Sequence, residues 1–306
     1  MKRDRICGCA GLTPSRHWTR RRFLFASAGT LVTACAQSPL IAADAPGSLA
    51  AIEAKAGGRV GVFAFDTGSG RQLAHRPDER FPMCSTFKWV LAAAILSRVE
   101  RGQLSLDERV SYDSTALLDN APVTTKHIAE GSMTVGTLAQ AAITVSDNTA
   151  ANLLLAKLGG PAGFTGFVRS LGDSVTRLDR TEPALNSNDA GDPRDTTSPG
   201  AMVGLMRKVL CGDVLSTANR DRLLGWLRAC ETGKDRLRAG LPRDWIVGDK
   251  TGSGKRGAVN DIAIALPPGR GPILVASYLS DGNAGLPALT AAQADIGRLV
   301  AGSFKP

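Results

Sequence analysis

Arg59-Val60-Gly61-Val62-Phe63-Ala64-Phe65-Asp66 is the stretch that decides the architecture. It is rich in Val and Phe, and the turn Thr67-Gly68-Ser69-Gly70 hands it on to a second strand over 72–76, so the pair reads as a β-hairpin. Ahead of it, residues 48–56 read as a short helix ended by Gly57-Gly58. Beyond it the period changes. Over 85–101, Val90, Leu91, Ala94, Ile95 and Val99 fall on one helical stripe. Helical patterns then dominate through 134–145, 150–158, 163–171, 198–210 and 218–229. Strand patterns return over 245–251, 261–266 and 273–279, and a helix over 290–303 closes the chain. Strands at both ends around a helical middle predict an α/β two-domain protein. Its five-stranded antiparallel sheet, flanked by helices, is complete only when the chain ends meet. The discontinuous α/β domain is expected over 46–83 and 235–306. An all-α domain inserted over 84–234 includes a loop over 179–195, and the active site is expected between the two domains.

Composition narrows the functional classes. The 306 residues are 43% hydrophobic and 21% charged, as in a globular protein. The net charge of +9 invites a nucleic-acid partner, but residues 1–45 hold seven basic and two acidic residues, leaving only +4 for the remainder. No nucleic-acid-binding motif is present. Thr19-Arg20-Arg21-Arg22-Phe23-Leu24 adjoins an apolar run over 23–36 that is too short to span a bilayer. Residues 1–45 therefore read as an export signal of the twin-arginine type with a linker. Two readings of its end stand side by side. Val32-Thr33-Ala34-Cys35 resembles a lipobox, with Cys35 as a lipid anchor; alternatively, cleavage follows a small-x-small site such as Ala34-Cys35-Ala36 or Ala43-Asp44-Ala45. Either places the mature chain outside the cytoplasm, in the periplasm or secreted, without a transmembrane segment. Cys84, Cys211 and Cys230 then remain, an odd number that permits at most one bridge, with Cys211–Cys230 the candidate pair. No metal or cofactor is expected, because His75 and His127 form no ligand cluster. A monomer is expected.

Three short motifs carry the chemistry: Ser85-Thr86-Phe87-Lys88, Ser146-Asp147-Asn148 and Lys250-Thr251-Gly252. In the first, a hydroxyl and an amine three residues apart share one helix face. A serine alcohol needs a neighbouring base, and a desolvated lysine can serve. That motif alone is weak, since a chain of this length contains roughly one by chance. All three in this order, with Arg180-Thr181-Glu182-Pro183-Ala184-Leu185-Asn186 between the second and third, resemble the serine β-lactamases of class A and, more loosely, the penicillin-binding proteins. The matching punctuation runs from Gly57 to the last helix.

The resemblance implies hydrolysis of penicillins and cephalosporins, small-molecule substrates, through a Ser85 acyl-enzyme, conferring β-lactam resistance. Ser85 is the implied nucleophile, and the backbone N–H groups of Ser85 and Ser253 hold the oxyanion. Lys88 moves the proton, and Ser146 relays it to the leaving lactam nitrogen. Asn148 binds the substrate's acylamide. Lys250 and Thr251, at the end of a strand, suit the carboxylate next to the lactam nitrogen, with Arg236 as a second cation. Glu182 and Asn186 hold the hydrolytic water. Whether Lys88 or Glu182 is the acylation base stays open. Arg180 and Asp195, opposite charges at the two ends of the loop, are expected to clamp it.

Two other readings share part of this pattern. A penicillin-binding peptidase would lack the hydrolytic glutamate, so Glu182 and Asn186 argue against it, whereas a sensor that is acylated once is expected to carry a degraded loop and a fused transmembrane segment, neither of which the sequence shows. Asn120 occupies the place where most family members carry an aromatic residue at the cleft mouth. Ser253 resembles members with strong cephalosporin activity.

Overall fold

The computed structural model describes residues 48–305. The expected signal, with Arg20, Arg21, Arg22 and Cys35, lies outside the described residues. The chain begins with α1 (Leu49–Ala56), β1 (Arg59–Asp66), β2 (Gln72–His75), β3 (Phe81–Pro82) and α2 (Phe87–Glu100). The middle comprises β4 (Arg109–Ser111), β5 (Ser132–Thr134), α3 (Val135–Thr144), α4 (Asn148–Leu158), α5 (Gly160–Ser170), β6 (Thr196–Thr197), α6 (Pro199–Leu210) and α7 (Thr217–Arg228). It ends with α8 (Leu237–Gly240), β7 (Ile246–Ser253), β8 (Val259–Leu266), β9 (Ile273–Ser280) and α9 (Leu286–Ser303).

Five strands form one antiparallel sheet in the order β2-β1-β9-β8-β7. The pairing of β1 with β9, from Arg59 opposite Ser280 to Asp66 opposite Ile273, joins the two ends of the chain as the sequence predicts. Alternation along β1 sends Val60, Val62 and Ala64 to one face, where they join Leu49 and Ile52 of α1 and Ile296 and Val300 of α9. The opposite face presents Ile262, Ile264, Leu274 and Tyr278 to a second apolar cluster with α2 and α6.

Helix α2 is more deeply placed than its expected stripe. Every residue from Phe87 to Ser97 is buried, Ala92, Ala93 and Leu96 included. A helix apolar on all sides belongs in the middle of a core, and α3, α4, α5 and α7 pack around this one. Its one fully buried indole, Trp89, gives its N–H to Met202 Sδ at 3.3 Å.

The element boundaries differ from the expected ones for local reasons. Residues Cys84–Thr86 form a single 3₁₀ turn, so α2 starts two residues after expected. Helix α9 begins four residues early because Pro287, with its fixed φ and no N–H, is well suited to a first turn. The ladders β3–β6 and β4–β5, two and three residues long, are too short to leave a periodic signal. The first matters for function: Phe81 and Pro82 pair with Thr197 and Thr196, and Met83 N–H donates to Asp195 O at 2.9 Å. This fastens the end of the 179–195 loop to the segment leading into Ser85.

Cys84, Cys211 and Cys230 are all free thiols, so the Cys211–Cys230 pair is not made. Cys211 is exposed at the end of α6, whereas Cys230 is buried beside Thr232. Among the described residues no helix is long and apolar enough to cross a membrane.

Candidate active site

Ser85 lies in the 3₁₀ turn and Lys88 one turn along, in the first turn of α2, so both side chains leave the same end of the central helix. Ser146 and Asn148 flank Asp147, the N-cap of α4, whose carboxylate accepts from Ala150 N–H at 2.9 Å. That carboxylate also takes the N–H groups of Val123 and Thr124, each at 2.9 Å, and so fixes the segment carrying Asn120. Lys250, Thr251, Gly252 and Ser253 end β7, an edge strand of the sheet. A Cβ on Gly252 would lie 2.7 Å from Met83 O and 3.1 Å from Ser85 N; only glycine lets β7 come this close to the serine's backbone.

These segments bound a cleft of about 260 Å³ lined by Ser85, Asn120, Ser146, Asn148, Asn186, Thr251 and Ser253 among others. Cys84, Asn120 and Ser146 have φ of 46°, 56° and 60°, conformations that side-chain-bearing residues enter at a cost and that gather at functional sites. A larger cavity of about 510 Å³, lined by Arg59, Arg80, Arg180, Arg194 and Arg256 among others, lies beside the 179–195 loop. It contains no residue of the three motifs, so volume alone would point away from the chemistry.

Glu182 is the junction of the site. Its Oε1 accepts from Ser85 Oγ at 3.1 Å and lies 3.0 Å from Lys88 Nζ, and its Oε2 accepts from Asn186 Nδ2 at 2.6 Å. Lys88, fully buried, also donates to Ser146 O at 2.8 Å, Ser146 Oγ at 3.4 Å and Asn148 Oδ1 at 2.6 Å. Burial lowers its pKa, and the charge of Glu182 opposes the shift. Lys250 donates to Ser146 Oγ at 3.1 Å and Thr251 O at 2.9 Å, and burial brings its pKa down to about 8. The Ser146 oxygen therefore accepts from two amines, which leaves its own proton free to be given elsewhere.

The loop is held as expected. Arg180 Nε and Asp195 Oδ2 are 2.5 Å apart, and Asp195 Oδ1 accepts the N–H groups of Asp179 and Arg180 at 2.7 and 2.9 Å. A cis peptide joins Glu182 to Pro183.

Two expectations change. Arg236, expected as a second cation for the substrate's carboxylate, is not a lining group of the cleft. It is buried, donating to Gly252 O at 2.8 Å, Asn260 O at 2.6 Å and Ser253 Oγ at 2.7 Å. It meets the cleft from behind, through the lining residues Gly252 and Ser253. Asn148 lines the cleft, but its Oδ1 is occupied by Lys88 and its Nδ2 donates to Asp119 O at 2.9 Å, leaving one amide proton for a ligand.

Two residues escaped the sequence reading. Asn152 clasps the backbone of Glu182, accepting its N–H at 3.0 Å and donating to its O at 2.9 Å. Its signal was present, since it lies four residues after Asn148 on the same face of α4. Thr232, whose Oγ1 is 2.6 Å from Thr251 Oγ1, lies in an irregular segment with no pattern to reveal it.

A serine hydroxyl held against a carboxylate, a desolvated lysine and a hydroxyl poised between two amines are the parts of an acyl-transfer hydrolase that works through a covalent ester. The comparisons place the chain within that class. A family model described as the β-lactamase enzyme family matches residues 47–304. β-Lactamase AST-1 of Nocardia asteroides is 49% identical over 86% of this chain and 89% of its own length. β-Lactamase L2 of Stenotrophomonas maltophilia is 47% identical over 92% of this chain and 97% of its own. The solved class A β-lactamase of the last common ancestor of Gram-negative bacteria superposes with a TM-score of 0.82 at 57% identity, covering 84% of this chain and 97% of that one. The chain belongs to the β-lactamase enzyme family, class A.

Proposed function

We propose that this protein hydrolyses the β-lactam ring of penicillins and cephalosporins through an ester on Ser85, with Glu182 activating the water that releases it. The observation that carries the reading is the shared carboxylate: Ser85 Oγ and Lys88 Nζ meet at Glu182 Oε1 while Asn186 holds Oε2. Ser85 Oγ attacks the lactam carbonyl, and its proton leaves through Glu182, whose Oε1 it already reaches, or through Lys88, whose Nζ lies 3.0 Å from that same carboxylate oxygen. The oxyanion forms between the backbone N–H groups of Ser85 and Ser253, which the close fit of Gly252 brings together. Ser146 passes its free proton to the lactam nitrogen as the C–N bond breaks, and Lys88 or Lys250 can resupply it. Lys250, Thr251 and Ser253 receive the substrate's carboxylate, with Arg236 orienting the Ser253 hydroxyl. Asn148 offers its remaining amide proton to the acylamide carbonyl.

Deacylation separates this reading from a peptidase or sensor that stalls at the ester. The buried Asn186 Oδ1 has no protein donor, so a water beside Glu182 finds a carboxylate to take its proton and an amide oxygen to hold it. The chain further reads as an α/β domain over 46–83 and 235–306 around an inserted domain over 84–234, and as a monomer. Export by the twin-arginine route, with or without lipidation at Cys35, would bring it to the compartment where β-lactams act and confer resistance.

Steady-state hydrolysis of a chromogenic cephalosporin by the wild type and Glu182→Gln, with mass spectrometry of each protein, tests the mechanism. Expected are multiple turnovers in the wild type and a trapped acyl adduct in the variant, with kcat lower by about 10²–10⁴. A stable adduct without turnover in the wild type would overturn the hydrolase reading.

A further inference from the structure

We propose that the arginine-lined cavity beside the 179–195 loop is a binding site for a small, multiply charged oxyanion of the phosphate class, which ties the loop to the sheet. The cavity lies apart from the three motifs, and the assignment does not depend on the β-lactam reading. Three separate stretches of chain bring arginines to it. Arg59 opens β1 and Arg80 directly precedes β3, Arg180 and Arg194 belong to the loop, and Arg256 stands in the turn between β7 and β8. Like charges gathered in this way repel unless something answers them. The carboxylates of Glu79, Asp189, Asp192 and Asp281 share the cavity, one fewer than the cations.

Counting donors shows what those carboxylates leave unanswered. Asp281 lies between Arg59 at 3.0 Å and Arg256 at 2.9 Å. Asp192 takes Arg194 at 2.8 Å, with Arg180 at 3.6 Å. Each of these carboxylates is thus divided between two guanidinium groups. Arg80 pairs with no carboxylate among the described residues; its Nη1 donates to Val175 O at 2.8 Å and Thr196 Oγ1 at 3.0 Å. A guanidinium has five N–H donors and no acceptor. Arg80 Nε and Nη2, Arg59 Nη2 and Arg256 Nη1 therefore lack an acceptor among the described residues.

These groups are also held in place. The guanidinium carbon of Arg59 lies 4.6 Å from the centre of the Phe81 ring, and two bonds fasten Arg80. Cations placed beforehand lose little freedom on binding. Donors on several walls suit a phosphate better than a carboxylate. A carboxylate offers two oxygens along one edge, whereas a tetrahedral oxyanion offers oxygens in several directions at once. About 510 Å³ is ample for pyrophosphate. Bound there, it engages Arg180 and Arg194 of the loop together with Arg80 and Arg256, without touching Ser85.

Calorimetric titration with pyrophosphate at constant ionic strength, on the wild type, Arg80→Gln, Arg256→Gln and Lys255→Gln, tests the assignment. All three side chains are exposed, so folding is not the variable. Lys255 adjoins Arg256 but does not line the cavity, and so controls for the loss of charge alone. Either arginine substitution should weaken binding about ten- to a hundredfold, the loss of a charge-assisted hydrogen bond, and Lys255→Gln by no more than about twofold. Pyrophosphate should also slow amide hydrogen exchange over 187–194 in the wild type and not in Arg80→Gln. No binding, equal weakening in all three variants, or an unprotected loop would overturn the proposal. So would an affinity unchanged in both arginine variants, the result expected if the probe sits on Lys250 in the cleft. Vesicles of phosphatidylglycerol should not bind, because the donors line a cavity. Binding to vesicles without binding to pyrophosphate would overturn a site for a free anion.

Discussion

The two walls of the cleft are built in opposite ways. The β7 wall is backbone: eight residues from Ile246 to Ser253 are in register with β8, and Gly252 packs against Met83 and Ser85. The wall carrying Glu182 is a loop secured largely by side chains, with Asp195 and Arg180 at its ends and Asn152 clasping its middle. A ladder spreads its stability over many bonds, so one side chain lost from it changes little. The loop concentrates its stability in a few polar groups, each of which matters. The walls also face different steps: the strand meets the incoming substrate, and the loop holds the carboxylate assigned to deacylation.

The largest effect is expected where the loop is fastened. Asp195→Asn keeps the shape and tolerates the residue's φ of 59° but removes the charge opposite Arg180. Breaking a buried ion pair costs about 3–5 kcal/mol. Arg180 is 20% exposed, and Asp192 at 3.6 Å remains as a partial substitute. A loss of roughly 2–3 kcal/mol is therefore expected in denaturant unfolding. A displacement of Glu182 by an ångström costs about a hundredfold in rate. Mass spectrometry during turnover should accordingly find the acyl-enzyme as the main species. A variant that loses stability but keeps kcat would show that Asn152 alone positions the loop.

Next comes Gly252→Ala on the opposite wall. The added methyl would meet the backbone of Met83 and Ser85, which cannot swing aside, so the strand or the nucleophile must move. Overpacking of this kind costs about 1–3 kcal/mol. Kinetically the variant should be slow to acylate, with a lower pre-steady-state burst rate and no accumulation of adduct. If both variants fail at the same step, the division of labour between the walls is wrong.

What could be read before the structure follows the same divide. The strands, the central helix and the closing β1–β9 pairing follow from side-chain period and turn residues, because those elements repeat. The motif residues were legible too: the structure brings Ser85, Lys88, Ser146 and Lys250 around one cleft, although Ser146 lies in the link between α3 and α4. The misreadings occur where contacts are side chain to backbone across long stretches of chain. Arg236 reads as a cation free for the substrate because nothing local announces that two carbonyls and Ser253 receive it. Thr232 lies in an irregular segment whose path depends on Gly233 fitting over Asp249, a contact between residues sixteen apart. The ladders β3–β6 and β4–β5 are too short for any period to form.

The smallest effect is also the one that separates activity from stability within the β7 wall. Lys250 is fully buried, and desolvation brings its pKa to about 8 from the usual 10.5. Below about 8 the amine is charged and attracts the substrate's carboxylate, so kcat/KM should fall by several-fold as the pH rises from 7 to 9.5. Stability should move the other way. Between about 8 and 10.5 the unfolded chain holds a proton on this lysine that the folded chain has released. The group's contribution to stability therefore increases with pH across that window and levels off above it. A bound anionic substrate favours the charged form, so the limb seen in kcat should lie at higher pH than the limb in kcat/KM. Paired pH profiles of kcat/KM and of the unfolding midpoint, for the wild type and Lys250→Arg, check this. Arginine stays charged throughout, and its activity limb near pH 8 should vanish. Parallel rather than opposed profiles in the wild type would assign the limb to a different group and leave the strand wall without its switchable charge.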